Sequence, residues 1–289
     1  MVLTMHPELL RIGAVSLPSY GVLVAIGILT GFFVALHLAR KVGVGFDFVL
    51  DAVFWMVLSG LVGARLTYII VEWQAFLEDP LKTLLGSGGQ VYLGGLFTAV
   101  ASLFIICKKY TIPMRLVADI FAPALALGHA FGRIGCFLAG CCYGAPTRSW
   151  FGVRFPRLLD SNGSIIGSWP FMDHLMQGLV KADDVCSLPV YPVQLFESAG
   201  NAIIFTTLLF VWRKRPFDGS VACLYLVLYG GMRFFLEFLR GDAIRGFWGV
   251  LSISQWLSLL MVASGTLLWM RFSHDRTTQE LPCSSSSEK

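Results

Sequence analysis

The stretch Gly132–Gly144, GRIGCFLAGCCYG, places one arginine, three cysteines and four glycines in thirteen residues. Thiols so close together could ligate a metal, act as nucleophiles or pair as disulfides. The C-x4-C-C spacing of Cys136, Cys141 and Cys142 matches no common zinc pattern, and the nearest histidine, His129, lies seven residues before Cys136. No metal and no cofactor are therefore expected, and the thiols read mainly as small, weakly polar packing groups. A disulfide between Cys142 and Cys186 is the open alternative.

Arginine is the second chemical signal. Arg65, Arg133 and Arg233 each interrupt an apolar run, where an ionisable group is expensive and usually marks a site. Each sits on a polar stripe at helical spacing. Arg65 is followed by Tyr68 and Glu72. Arg133 stands between His129 and Cys136. Arg233 stands between Tyr229 and Glu237, with Arg240 one turn further on. Guanidinium groups converging from separate helices would suit a phosphate, because the planar fork binds two oxygens at once. Simpler uses stay open: Arg233 and Glu237 could neutralise each other, and Arg65 could reach to the membrane interface. Gly94, Gly95, Gly135 and Gly144 allow close approach of a ligand or of another helix.

These residues need elements to hold them. The 289-residue chain is 56% hydrophobic and only 14% charged, with a mean hydropathy of +0.70. A soluble fold would leave too much apolar surface wet, so the solvent is a bilayer. Seven stretches are long enough to cross it: 20–39, 49–71, 91–107, 117–138, 193–212, 219–238 and 250–270. Backbone groups in lipid must be satisfied internally, which makes the spans helices. The expected class is an all-α, polytopic membrane protein of about seven transmembrane helices. Residues 1–275 read as one membrane domain. Within it, 140–192 forms a small extracytoplasmic head rich in Gly, Pro, Ser and Trp, and 276–289 reads as a disordered cytoplasmic tail. Lys and Arg cluster after the first, third, fifth and seventh spans, which puts the N-terminus outside and the C-terminus in the cytoplasm. That bias accounts for the net charge of +4 without nucleic acid. The N-terminal residues lack a basic segment and contain prolines, so the first span is expected to remain as an anchor.

In this setting the chain resembles the bacterial prolipoprotein diacylglyceryl transferases from about Leu9 to about Trp269. The resemblance is carried, in order, by SLPSYGVLVAIG, GARLTYIIVEW, YLGGLFTA, GRIGCFLAGCCYGAPT, FGVRFP, YPVQLFES, LYGGMRFFLEFLRGD and LSISQWLSL. It implies a seven-span enzyme of the bacterial cytoplasmic membrane. Such an enzyme moves the diacylglyceryl group of phosphatidylglycerol to the lipobox cysteine of a preprolipoprotein signal peptide, forming a thioether and releasing glycerol 1-phosphate. The implied partners are phosphatidylglycerol, membrane lipid and lipobox-bearing signal peptides.

The resemblance also implies roles by position. Tyr20 matches a functional tyrosine, Arg133 the signature arginine and Gly144 the glycine closing that motif. Arg233 matches the arginine that joins Arg133 on the lipid phosphate. Tyr229, Glu237 and Arg240 match its neighbours, and Gln194 and Glu197 match a Pro-x-Gln-Leu-x-Glu pattern. The expected catalytic set is Arg133, Arg233, His129, Glu237 and Tyr20. The expected lipid-binding set is Arg133, Arg233, Arg65, Tyr229, Gly94, Gly95, Gly144 and Arg240. Three positions depart from the family pattern: Leu93 replaces a histidine, Cys136 an asparagine and Cys141 a glutamate. The base that takes the substrate thiol's proton must then be another residue, with His129 and Glu237 as candidates. The string LAGC, Leu138–Cys141, spells a lipobox but lies far from any N-terminal signal, so the lipobox belongs to the partner. The alternatives are a paralogue with the same lipid pocket and another acceptor, or a non-enzymatic transporter.

Overall fold

The computed structural model describes residues 8–12, 15–86, 91–159, 164–165, 167–241 and 246–279. The chain opens with the antiparallel strands β1 (Glu8–Ile12) and β2 (Val15–Pro18), with Ile12 opposite Val15. Then follow α1 (Ser19–Arg40), α2 (Phe46–Val71), the short α3 (Trp73–Glu78) and α4 (Pro80–Leu85), α5 (Tyr92–Lys109) and α6 (Met114–Ala139). After the connection 140–168 come α7 (Trp169–Met176), α8 (Val193–Lys214) and α9 (Ser220–Leu236), which tightens into a 3-10 turn at Glu237–Leu239. A two-residue strand pair, β3 (Phe247–Trp248) with β4 (Leu251–Ser252), leads into α10 (Ile253–Gln279).

Seven of these helices, α1, α2, α5, α6, α8, α9 and α10, are long and apolar enough to cross a membrane. They coincide with the seven stretches read from hydropathy. The seventh span is the one whose ends move most, from 250–270 to Ile253–Gln279, while the third shifts only to Tyr92–Lys109. Helix α10 continues through Gln279, so the first residues assigned to the tail are helical, and 280–289 lie outside the described residues.

The chain divides into two compact units, residues 32–120 and residues 1–31 with 121–289. In the first, α2 packs on α5 through small residues, as helices without a hydrophobic drive between them must. A Cβ on Gly95 would lie 2.8 Å from Gly60 O, and one on Gly94 would overlap the Thr67 side chain. Thr98 Oγ1 donates to Ser59 O at 2.7 Å across the same seam, and Ser59 Oγ lies 3.0 Å from Ser102 Oγ. At one end of the seam Asp51 accepts from Lys109 Nζ (3.0 Å) and Tyr110 OH (2.8 Å).

In the second unit the start of α1 runs antiparallel to α6. A Cβ on Gly27 would stand 3.2 Å from Gly128 O, one on Gly31 3.2 Å from Ala124 O, and one on Gly135 3.2 Å from the Tyr20 ring. Helices α9 and α10 cross as closely, with Gly230 against Ser258 O and Gly265 against Cys223 O, each at 2.9 Å from a Cβ. The described residues of the 140–192 connection are folded against one another. Val153 and Val190 exchange backbone bonds of 3.0 and 2.9 Å. Tyr143, Val153, Phe155 and Val190 form a buried cluster backed by Phe137. His174, on α7, is buried beside it and accepts from Leu188 N–H at 3.2 Å through Nδ1.

Two predictions follow from these packings. Gly94→Ala forces α5 off Thr67 and lowers stability by about 1–3 kcal/mol, read as a lower melting midpoint of the detergent-solubilised protein. Burial pushes the His174 imidazole below its ordinary 6.5, against a smaller upward pull from Asp173. The unfolded chain then binds more protons, so stability is complete above pH 6.5 and falls as pH drops from 6.5 towards the lowered folded value. Melting midpoints across that range should fall less for His174→Asn, which keeps an acceptor for Leu188 but no titrating group.

Candidate functional site

Most of the residues singled out by type and spacing lie in one unit, on α1, α6, α9 and the turn after it. Helices α6 and α9 run parallel and are tied at two levels. Lower down, Tyr225 OH meets His129 Nδ1 at 3.1 Å, and the His129 and Tyr229 rings lie 5.2 Å apart, with Tyr225 stacked on Tyr229 at 5.5 Å. Higher up, Gly144 and Arg240 form an antiparallel backbone pair, and Ala145 N–H donates to Leu239 O at 2.8 Å. Arg133 stands four residues past His129, and Arg233 stands eight past Tyr225 and four past Tyr229. Both guanidinium-bearing positions therefore lie between the two ties. The Arg133 charge is within electrostatic range of Tyr229 and Glu197.

Each arginine has a carboxylate. Arg133 Nε lies 3.0 Å from Glu197 Oε1, and the Glu197 side chain is only 1% exposed. Arg233 NH1 lies 2.8 Å from Glu237 Oε2, one turn along its own chain. Arg233 NH2 also donates to Ser254 Oγ (2.9 Å), and Ser252 Oγ donates to Glu237 Oε1 (2.9 Å). Ser252 ends β4 immediately before α10, and Ser254 lies in the first turn of α10. There Ser252 and Gln255 cap reciprocally: Gln255 N–H donates to Ser252 Oγ at 3.2 Å and Ser252 N–H to Gln255 Oε1 at 3.0 Å. A local capping device thus also fixes the ion pair of a neighbouring helix.

Helix α8 contributes a polar stripe, Gln194, Glu197, Ser198 and Asn201, spaced to lie on one face and all buried. Gln194 Nε2 donates to Cys141 O at 2.8 Å and Ser198 Oγ to Ala130 O at 2.9 Å, which pins α8 to α6. Gln194 Oε1, Glu197 Oε2 and Asn201 Oδ1 are buried with no hydrogen-bond partner among the described residues. Acceptors without donors are costly, and they mark a place suited to a hydroxyl-bearing ligand.

The end of α6 explains the cysteines. Gly140 adopts φ 68° just past the last helical residue. Gly140 N–H bonds Phe137 O and Cys141 N–H bonds Cys136 O, both at 3.1 Å. This glycine-terminated helix end folds the chain back, so Cys141 lands beside Cys136. Cys142 follows in the left-handed region, φ 57°, uncommon for a side chain with a Cβ. The three sulfurs lie within 4.8 Å of one another. Cys142 and Cys186 are free thiols, so the disulfide alternative is not realised. Tyr20 packs on Gly135 and lies in electrostatic range of Arg133 and all three cysteines.

Other expected residues are placed differently. Gly144 is a crossing point of three chain segments: its N–H donates to Tyr191 O at 3.1 Å, and a Cβ there would lie 2.5 Å from that same oxygen. Gly94 and Gly95 belong to the 32–120 unit and form the α2–α5 seam. Arg65 is in that unit too, where its Nε and NH2 donate to Leu84 O (3.1 Å) and Gly86 O (2.7 Å) at the end of α4. Sequence reasoning gave no role to Ser252, Ser254, Tyr225 or Asn201. The signals for them were an S-x-x-Q cap before an apolar run and polar residues at three- and four-residue spacing inside a span.

Comparison with known proteins came to the same family as the motif reading. The family model described as prolipoprotein diacylglyceryl transferase matches residues 7–271. The chain is similar to phosphatidylglycerol–prolipoprotein diacylglyceryl transferase of Finegoldia magna, 31% identical over 88% of this chain and 90% of that one. It is 33% identical to the second such transferase of Clostridium perfringens over 87% and 89%, respectively. It is 32% identical to that of Clostridium tetani over 92% and 97%.

Breaking the Arg133–Glu197 pair from one side leaves a buried charge. Arg133→Met strands the buried Glu197 carboxylate and should cost about 3–5 kcal/mol, and the double change Arg133→Met with Glu197→Leu much less. Urea or thermal unfolding in detergent compares them, and equal losses would mean the pair is not buried as described.

Proposed function

The chain belongs to the prolipoprotein diacylglyceryl transferase family, and from that premise we propose that Arg133 and Arg233 hold the phosphate of phosphatidylglycerol while a cysteine thiol displaces it. The enzyme transfers the diacylglyceryl group of that lipid to a prolipoprotein. The acceptor is the lipobox cysteine of the signal peptide. Its sulfur forms a bond to the glycerol carbon that bears the phosphate, the carbon–oxygen bond breaks, and glycerol 1-phosphate departs with the bonding electrons. Charge grows on the leaving phosphate, where preset cations lower the barrier most.

The observation that carries this reading is that both arginines lie between the two ties of the parallel helices α6 and α9, each paired with a buried carboxylate. Glu197 engages Arg133 through Nε, so the terminal nitrogens are the ones directed to lipid oxygens. Glu237 is committed to Arg233 and Ser252 and serves as a positioning group. His129, one turn below Arg133 and oriented by Tyr225, takes the thiol proton that Leu93 cannot. Tyr20, Tyr229 and Arg240 border the lipid head, and the acceptors of α8 receive the hydroxyls of its terminal glycerol. Gly144 holds the wall in place. Arg65, Gly94 and Gly95 act by supporting the 32–120 unit.

The protein is a multi-pass membrane protein. The distribution of Lys and Arg supports the bacterial cytoplasmic membrane, with the N-terminus and the 140–192 head outside and the C-terminus in the cytoplasm. A transporter or a paralogue with another acceptor is not favoured by relatives that bear one activity name over nearly their whole length.

The test is an assay with phosphatidylglycerol in mixed micelles and a lipobox peptide, read as diacylglyceryl mass on the peptide cysteine. Arg133→Ala and Arg233→Ala should each lose more than about 100-fold in kcat. His129→Ala should slow transfer strongly and flatten its pH profile. Near-normal rates in the His129 variant remove it as the base, and near-normal rates in either arginine variant overturn the phosphate clamp.

A further inference from the structure

We propose that Cys136, Cys141 and Cys142 form a site for one soft, thiophilic metal ion at the end of α6. The sequence spacing hides this site, because the ligands are set by a helix end and not by a zinc-type loop. The bonds of Gly140 to Phe137 and of Cys141 to Cys136 fold the chain back on the last turn. Cys142 completes the triangle only by taking the left-handed conformation, and Gln194 Nε2 holds the bend through Cys141 O. A non-glycine residue in that conformation is strained, and such strain concentrates where a side chain must be aimed.

The geometry matches soft-ion coordination. Metal–thiolate bonds of about 2.3 Å put three sulfurs about 4 Å apart around an ion near their plane. The sulfurs already lie within 4.8 Å of one another, so closing on an ion needs shifts below an ångström. Thiolates select monovalent copper and zinc over calcium or magnesium, which require oxygens. Three thiolates on one such ion leave a net negative charge. Arg133 and Arg240, both within electrostatic range of Cys142, offset it. Among the described residues no other group of three or more His, Cys, Asp or Glu side chains is arranged to hold a metal ion. The site is independent of the transferase reading, because binding can be read without lipid or acceptor.

The experiment uses the full chain in detergent, reduced with a phosphine, and offers zinc(II) or cuprous ion in separate arms. Retained metal is counted after desalting, and alkylation mass spectrometry counts the protected thiols. The expected result is one ion per chain and three fewer reactive cysteines, with a three-sulfur shell at about 2.3 Å in X-ray absorption. Three sulfurs and no further ligand are expected in the cuprous arm and three sulfurs plus one light atom in the zinc arm, and the ion retained from an equimolar mixture is the one the site prefers. Cys142→Ser should weaken binding more than about 100-fold, beyond the usual effect of losing a group that only supports a ligand. Cys223→Ser, on α9, should leave it unchanged. No retained ion, an ion retained equally by Cys142→Ser, or a disulfide joining two of the three thiols before reduction would overturn the site. Melting curves of each variant without metal separate lost ligation from lost fold.

Discussion

A guanidinium inside a membrane span is tolerable only against a counter-charge held in fixed geometry. Both arginines of the site meet that condition, in different ways. Arg133 reaches across to Glu197 and so ties α6 to α8. Arg233 reaches along its own chain to Glu237, and the start of α10 closes over the pair through Ser252 and Ser254. Four helices are thereby committed to two ion pairs. Small residues at the α9–α10 crossing let α10 come close enough for its serines to reach the second pair.

The division of labour between the two carboxylates matters for chemistry. Glu237 shares its oxygens between Arg233 and a serine hydroxyl, which holds its charge in place. Glu197 has a second oxygen with no hydrogen-bond partner among the described residues, beside similarly placed oxygens of Gln194 and Asn201. One pair is closed and the other open on its acceptor side. That asymmetry suits a ligand whose phosphate takes the arginines and whose hydroxyls turn towards α8.

Hydropathy made the seven spans legible because about twenty apolar residues in a row have few other fates. The intramembrane arginines were legible for the same reason, since their cost singles them out. What stayed hidden was pairing between elements far apart in sequence. Glu197 was readable as a motif residue but not as the partner of Arg133. Ser252 was readable as a helix cap but not as a donor to Glu237. Gly94, Gly95 and Arg65 were readable as residue types for a ligand site, but not as the α2–α5 crossing and the donor to the carbonyls at the end of α4 that they also supply. The clustering of the cysteines depended on a left-handed glycine and a left-handed cysteine, neither of which spacing rules contain.

The double tie between α6 and α9 acts as a ruler. His129 against Tyr225 sets one mark, and Gly144 against Arg240 sets the other. Adding or deleting one residue between Tyr229 and Arg240 would swing every side chain beyond it by about 100° around the helix. Placed ahead of Arg233, such a change would turn its guanidinium away from Ser254. The interval can change its residues, but its length is fixed by geometry, whereas the loops on either side carry no such count.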